Sequence, residues 1–204
     1  MQYARLGVAW AMIDRAMVLV ADRLNAHLRA HYGVREDLVV LSPLVDAEGN
    51  LPKIARNRLV MFISNIAHDP TARSTGRGAV TLGGQVRRAQ SVHLDVYFIL
   101  AACFDPERYS DGLALLTAGM RYLQANTNLS PQTHPEMAPG LSQLSIEIAN
   151  LGSDAAGQLW GSFGASYMPS VQYKMRSVVI DSDAVVAVDP VVRQADVRTA
   201  PVSG

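Results

Sequence analysis

The strongest structural constraint in this sequence is the alternation of apolar and polar residues that begins at Val92 and runs toward Leu100. Every second side chain from Val92 onward is apolar, and His93, Asp95 and Tyr97 fall between them. Because successive side chains of a β-strand point to opposite faces, this pattern predicts a strand with one buried and one solvated face. Strands of that kind belong to antiparallel or mixed sheets, whereas strands buried on both faces build parallel cores.

Four further segments are predicted to be strands. The clearest is residues 170–180, in which apolar and polar side chains again alternate. The proline at position 43 places the first of the four at a sheet edge, because proline cannot donate a hydrogen bond to a neighbouring strand. In chain order, the four segments are residues 38–44, 59–66, 144–148 and 170–180.

Helical periodicity is present in residues 3–31, where apolar side chains recur at steps of three and four and charges fall between them. A second helix is predicted after Asp105, which can cap a helix start, with Pro106 and Glu107 in its first turn. A third, short helix is predicted to carry Trp160. The apolar stripe of the first helix consists of Leu6, Trp10, Ile13, Met17, Val20, Leu24 and Leu28.

The order of these elements predicts an α+β fold with a mixed, mainly antiparallel sheet and helices packed on one face. A length of 204 residues suits one domain with an appended arm. We expect residues 1–181 to form the domain. Residues 182–204 are rich in Val, Ala, Asp, Pro and Ser, and we interpret them as an extended C-terminal arm or tail.

Composition excludes several classes of protein. A hydrophobic fraction of 49% is enough to build a core, which excludes global disorder. The 18 basic and 18 acidic residues balance, so no overall field attracts the chain to nucleic acid or to an anionic membrane. The single cysteine, Cys103, cannot form an intramolecular disulfide, which favours a reducing compartment. The apolar run at 17–21 is too short to span a bilayer.

Candidate catalytic and metal-binding groups lack partners in the sequence. His27 and His31 lie four residues apart and could share a helix face, but no third ligand stands nearby. No histidine can be placed beside Cys103, and an isolated thiol is usually a small buried apolar group. Asp181 and Asp183 are better interpreted as a solvated strand end. We therefore predict no catalytic residue, no cofactor and no metal site.

Residues 69–90 form a glycine-rich, basic segment in which Asp69 is the sole acidic residue. We interpret this segment as a loop with a small hairpin that turns at Gly83 and Gly84. Its four arginines lack interleaved aromatic residues, which makes a contact with an acidic protein surface at least as good an interpretation as nucleic-acid binding. The predicted assembly interface combines these arginines with three valines of the arm: Arg73, Arg77, Arg87, Arg88, Val185, Val186 and Val188.

Several stretches of the sequence resemble a known family. Its most recognisable motif is a helix that ends in Leu-Trp, followed by a Pro-Ser-x-x-Tyr strand. Trp160 stands at the end of such a helix, and Pro169, Ser170 and Tyr173 stand at that spacing. Residues 91–100 resemble the family strand in which alternating leucines precede a tyrosine. The family is the cap, or tail-terminator, protein of extracellular contractile injection systems, which are phage-tail-like particles.

This resemblance covers residues 5–182 and implies a structural protein with a tail-terminator-like fold and no enzymatic activity. It implies a homohexameric ring that binds the distal end of the inner tube and the sheath and stops polymerisation. The implied partners are other copies of the chain, the sheath protein and the inner tube protein. Nucleic acid is not among them, and a membrane is met only through the assembled particle. Assembly is expected in the cytoplasm, as part of a particle that can be released.

Two alternatives stay open at this point. One is a baseplate or membrane-docking adaptor of the same particle. The other is a small ligand-binding or hydrolase domain that uses the long loop at residues 125–140, since loops of this length are often functional. The second alternative requires a pocket that holds a titratable group with a shifted pKa.

Overall fold

We describe a computed structural model of the chain, which covers residues 12–69, 79–81, 84–88, 92–137, 141, 143–180 and 185–190. The chain divides into two compact units. The first unit comprises Met1–Ala72 with Val92–Ile180, and the second comprises Arg73–Ser91 with Asp181–Gly204.

Three helices and nine strands are assigned within the described residues. The helices are α1 (Met12–Tyr32), α2 (Tyr109–Ala125) and α3 (Ser153–Ser162). The strands are β1 (Val39–Leu41), β2 (Arg58–His68), β3 (Ala79–Thr81), β4 (Gly84–Arg88), β5 (Val92–Cys103), β6 (Asn128–Leu129), β7 (Leu144–Ile148), β8 (Ser170–Ile180) and β9 (Val185–Pro190). Strands β3, β4 and β9 lie in the second unit, and all other strands lie in the first.

The first unit is organised by a six-stranded sheet in the order β1-β2-β5-β8-β7-β6. Strand β1 runs parallel to β2, and every other neighbouring pair is antiparallel. The prediction of an α+β fold with a mixed, mainly antiparallel sheet is therefore confirmed. Strand β5 extends past the predicted end at Leu100 as far as Cys103. Its last residues are apolar and buried on both faces, so alternation no longer marks the strand there.

The first hydrophobic core, here called the first core, lies between the sheet and the two long helices. Helices α1 and α2 bury their apolar stripes against one face of β2, β5 and β8. Helix α2 comes close to the sheet at Gly119, where an added Cβ would lie 3.2 Å from Cδ2 of Leu100. The sheet residues in this core include Leu59, Met61, Phe98, Leu100, Tyr173 and Met175.

The second hydrophobic core, here called the second core, lies on the opposite face of the same strands. It is built from Val60, Phe62, Ile99, Ala101 and Cys103 of the sheet, and Trp160 of α3 closes it. The two long helices share one face as predicted, but the short helix α3 covers the other face. The reason is that β2 and β5 carry apolar side chains on both faces over this part of their length.

The side-chain amide of Asn25 on α1 forms hydrogen bonds with backbone groups at the outer edge of β1, where no further strand of the described residues pairs with it. Its Nδ2 donates to the carbonyl oxygen of Val39 at 2.8 Å. Its Oδ1 accepts from the backbone N–H of Leu38 at 2.9 Å and from that of Val39 at 2.8 Å. The Asn25 side chain is only 5% exposed, and its two bonds to Val39 are buried, so the amide replaces water as the partner of these backbone groups. One polar residue in an apolar stripe thus fixes α1 against the edge of the sheet.

The second unit contains a three-stranded antiparallel sheet in the order β3-β4-β9. Strands β3 and β4 form a hairpin in which Thr81 pairs with Gly84. A hairpin was predicted in this segment, and its two-residue connection falls one position earlier than expected. Within the described residues of both units, no helix is long and apolar enough to cross a bilayer.

We predict that Trp160→Ala destabilises the first unit by about 3–5 kcal/mol, because it removes the largest side chain of the second core and leaves a cavity. Trp160 is 4% exposed, so almost all of its surface is lost from packing. Chemical denaturation monitored by circular dichroism measures the change. Tyr167→Ala is the matched control, since Tyr167 touches the Trp160 ring but is 67% exposed. An equal loss in both variants would contradict the assignment of Trp160 to a core.

We predict that Asn25→Ala costs about 1–3 kcal/mol, because it removes the partner of three backbone groups of residues 38 and 39, two of which are buried. Amide hydrogen exchange should accelerate at Leu38 and Val39 more than at Ile99 on β5, which is not a neighbour of β1. Asp22→Ala, an exposed change on the same helix, serves as the control. Uniform acceleration across the sheet would show a global loss of stability instead of a loosened edge.

Candidate assembly interface

The second unit brings together residues of the predicted interface that lie about 100 positions apart in the sequence. Strand β4 carries Arg87 and Arg88, and β9 carries the three valines. Arg88 pairs with Val185 across the two strands, and Val86 pairs with Val188. The register shifts between Arg87 and Arg88, which leaves Val186 as the extra residue of a β-bulge on β9.

Arg73 and Arg77 of the predicted interface lie outside the described residues, as do Asp181 and Asp183. Strands β4 and β9 pair antiparallel through their backbones. This pairing joins the basic segment to the C-terminal arm in one sheet, which the sequence analysis did not predict. Whether these residues contact a partner remains a prediction.

Trp160 is buried in the second core. Its ring packs edge-on against Tyr167, with centroids 5.5 Å apart. Phe163, at the end of α3, packs edge-on against Phe62 of β2, with centroids 5.3 Å apart. The Leu-Trp end of α3 therefore anchors the helix to the sheet, and its role is packing.

Pro169, Ser170 and Tyr173 position strand β8 beside β5. The backbone N–H of Ala102 donates to the carbonyl oxygen of Pro169 at 2.9 Å, and Ser170 pairs with Ala101. Tyr173 is buried in the first core, where its ring stacks on Phe98 with centroids 5.3 Å apart. The family motif therefore places one aromatic residue in each core, on opposite faces of the sheet.

An ion pair between a buried aspartate and a partly buried lysine, which the sequence did not reveal, links the polar faces of β5 and β8. Lys174 Nζ donates to Oδ2 of Asp95 at 2.7 Å, and it lies 5.6 Å from the centre of the Tyr97 ring. This hydrogen bond raises the pKa of Lys174. The register of the two strands shifts beside Asp95, and within the described residues Asp95 Oδ1 has no hydrogen-bond partner. The pair supplies the buried Asp95 carboxylate with a cationic partner at this irregularity, so loss of Lys174 would leave the carboxylate unpaired.

Cys103 is not placed to act as a nucleophile. The side chain is buried in the second core, and burial raises the pKa of its thiol to about 12. A thiol with that pKa stays protonated at neutral pH, and the thiolate is the reactive form. Cys103 therefore serves as a small apolar core residue.

His27 and His31 form an aromatic cluster on the surface of α1. Their rings are stacked with centroids 6.2 Å apart, and Tyr122 of α2 lies 4.7 Å from the His27 ring. Across the residues that the structure describes, no group of three or more His, Cys, Asp or Glu is placed to hold a metal ion. Both histidines are exposed, and the His27 ring packs against Tyr122.

The described part of the long loop after α2 packs onto the first core. Leu129 and Met137 are buried there, and Glu136 forms an ion pair with Arg23 of α1. His134 Nδ1 lies 2.8 Å from Oγ1 of Thr133. Burial, and then the charge of Arg23, lowers the pKa of His134, which favours its neutral form. These contacts give the loop a structural role as a cover over the core.

Comparison with solved structures shows the same fold in two particle components. One is the sheath/tube terminator of the PVC extracellular contractile injection system in its extended state, with a TM-score of 0.54 and 13% identity. That match covers 91% of this chain and 64% of the terminator. The other is the tube-terminating cap of the anti-feeding prophage, with a TM-score of 0.58 and 18% identity, covering 87% of this chain and 60% of the cap.

At these identities the likeness establishes a shared fold, and the present chain spans less than two thirds of either protein. No curated protein matches the sequence. The family model described as the Pvc16 N-terminal domain, however, matches residues 18–194, which is most of the chain. The chain therefore belongs to the Pvc16 N-terminal domain family.

Proposed function

We propose that this chain is the cap, or tail terminator, of a contractile injection particle. The observation that carries the proposal is the shared fold with a sheath/tube terminator and a tube-terminating cap, together with membership of the Pvc16 N-terminal domain family. In this role the protein binds the distal end of the inner tube and the sheath. It stops further subunits from adding to either polymer.

The proposed partners are other copies of the chain, the sheath protein and the inner tube protein. A homohexameric ring on the last tube layer is the proposed assembly, formed in the cytoplasm. A head-to-tail contact closes into such a ring when its rotation permits. The work of a terminator is binding and not bond chemistry. This agrees with a buried, protonated Cys103 and with the packing roles of His27 and His31.

The second unit is the proposed contact with the tube or sheath. Residues 1–181 are proposed as the terminator domain and 182–204 as its arm, and strand β9 ties this arm to the basic strand β4. Two successive arginines and a valine-rich strand lie in one sheet, and these residue types combine positive charge with apolar side chains. Arginine is favoured at protein interfaces for this combination of charge and contact area.

Deleting the gene for this chain tests the proposal directly. We expect particles with overlong or unsheathed tubes, because nothing then stops tube growth or holds the sheath at its end. Electron microscopy of purified particles measures tube length and sheath coverage. Particles that have normal tubes but lack baseplates would instead indicate an adaptor at the other end. Complementation with the wild-type chain is the control.

We predict that replacing Arg87 and Arg88 together with Glu weakens assembly onto the tube and leaves the fold intact. Reversing two charges opposes an acidic partner surface, and binding should fall by about tenfold or more. Co-sedimentation with purified tube and sheath measures the loss. The matched control reverses two exposed arginines elsewhere in the chain, Arg35 and Arg121.

A second pair of variants separates charge from strand stability. Arg87→Gln with Arg88→Gln removes both charges without reversing them, so we expect an intermediate loss of binding. Circular dichroism checks that each variant retains the native signal. If the glutamate variant bound tube and sheath normally, the assignment of these arginines to the interface would be wrong.

A further inference from the structure

A cleft lies beside α3, on the sheet face that carries the second core. Its volume is about 590 Å³, which is within the range of sites that bind small ligands. Its walls come from α3, from the chain that follows β7 and from the first residues of β8. Trp160 and Tyr167, whose rings pack edge-on, both line this cleft. None of the roles described above uses it.

The lining of the cleft is uncharged. Its polar side chains are amides and hydroxyls, contributed by Asn150, Ser153, Tyr167, Ser170 and Gln172. Moving an ionised group out of water costs free energy unless an opposite charge compensates for it. The cleft therefore favours an uncharged occupant.

Packing accounts for the ring of Trp160 but leaves its indole N–H without a partner. The side chain is 4% exposed, and within the described residues its N–H donates no hydrogen bond. The sealed side-chain groups without a partner are Asp95 Oδ1 and the Tyr173 hydroxyl, so the indole N–H still reaches solvent. An indole N–H can donate but cannot accept. Because Trp160 lines the cleft, a matching occupant offers it an acceptor.

The cleft also keeps apolar surface in water. Tyr167 is 67% exposed and Leu151 is 39% exposed, and both belong to the lining. Removing apolar surface from water is favourable. A matching occupant therefore combines hydrogen-bond acceptors with apolar bulk.

Uncharged ligands of this kind differ in the donors that they bring. A saccharide brings hydroxyl donors, and most peptide segments bring one N–H per residue. The lining has no carboxylate to accept these donors. Proline has an apolar ring and a carbonyl group but no N–H, so it brings acceptors without donors. In the polyproline II conformation the carbonyl groups make no internal hydrogen bonds, and such segments dock in aromatic-lined grooves.

We propose that this cleft binds an uncharged, proline-containing segment of a partner protein in an extended conformation. Tyr167 and Leu151 pack on the proline rings, and the indole N–H of Trp160 donates to a backbone carbonyl of the segment. The inference goes beyond the cap proposal, since it requires neither a ring nor a tube end.

Isothermal titration calorimetry of the full chain with decaproline tests the proposal. A Gly-Ser decamer is the control for an uncharged peptide with an N–H on every residue, and maltohexaose is the probe for a saccharide. We expect decaproline to bind about tenfold or more tightly than either control, because its preorganised backbone loses little freedom on binding.

Two variants test the contacts. Tyr167→Ala should weaken decaproline binding by about tenfold or more, because it removes an exposed aromatic anchor. Trp160→Phe keeps an apolar ring and removes the N–H, so we expect a loss of about three- to tenfold, as for one hydrogen bond. Tyr109→Ala is the matched control, since Tyr109 is 52% exposed on α2 and does not line the cleft. Circular dichroism checks that each variant is folded.

Decaproline binding that falls in the Tyr167 variant and persists in the Tyr109 variant supports the proposal. Equal losses in these two variants would show unspecific contact with exposed aromatic rings and overturn it. The proposal is also wrong if the Gly-Ser decamer binds as tightly as decaproline, if maltohexaose binds in its place, or if no probe binds. The cap proposal is tested separately by the gene deletion, so it stands if this inference fails.

Discussion

Strand β5 supports both hydrophobic cores, because alternate side chains of one strand point to opposite faces of the sheet. Phe98 and Leu100 enter the first core, and Ile99 and Ala101 enter the second. A slip of one residue against β2 or β8 would exchange the two sets, and it would turn Asp95 and Tyr97 toward the first core. The packing of all three helices therefore depends on the register of β5, and the Asp95–Lys174 pair lies at the more polar end of that strand.

Much of the fold could be predicted because alternation and helical periodicity are patterns within single segments of the sequence. Alternation identified β5 and β8 as strands, although β5 buries side chains on both faces where Ile99 and Ala101 enter the second core. The periodicity of α1 identified its buried stripe from Met17 to Leu28, and the predicted stripe residues Leu6 and Trp10 lie outside the described residues. The position of α3 could not be predicted in the same way. Its contact surface is formed by Val60, Ile99 and Ala101, which belong to strands distant in sequence. Where β2 and β5 carry apolar residues on both faces, the sequence does not indicate which helix covers which face.

The candidate interface likewise has a part that could be predicted from the sequence and a part that could not. Composition alone identified a basic segment and a valine-rich arm, since clusters of arginine and valine are visible without structure. The pairing of β4 with β9 is a contact between segments about 100 residues apart, and no local pattern encodes it. Asn25 did leave a signal, because an amide within an apolar helix stripe must find hydrogen-bond partners when buried. The sequence could not show that these partners are backbone groups of β1.

Two neighbouring residues at the β1 edge, Val39 and Leu41, differ in what they leave open to a contact. At Val39 the edge is closed by the Asn25 amide, which leaves no backbone group there for a foreign strand. Beside it, Leu41 remains 39% exposed, and apolar surface in water costs free energy. A contact that covers Leu41 would recover this free energy without competing for the backbone groups of Val39. At this edge the structure therefore leaves side-chain packing, and not strand addition at Val39, as the available way to bury apolar surface.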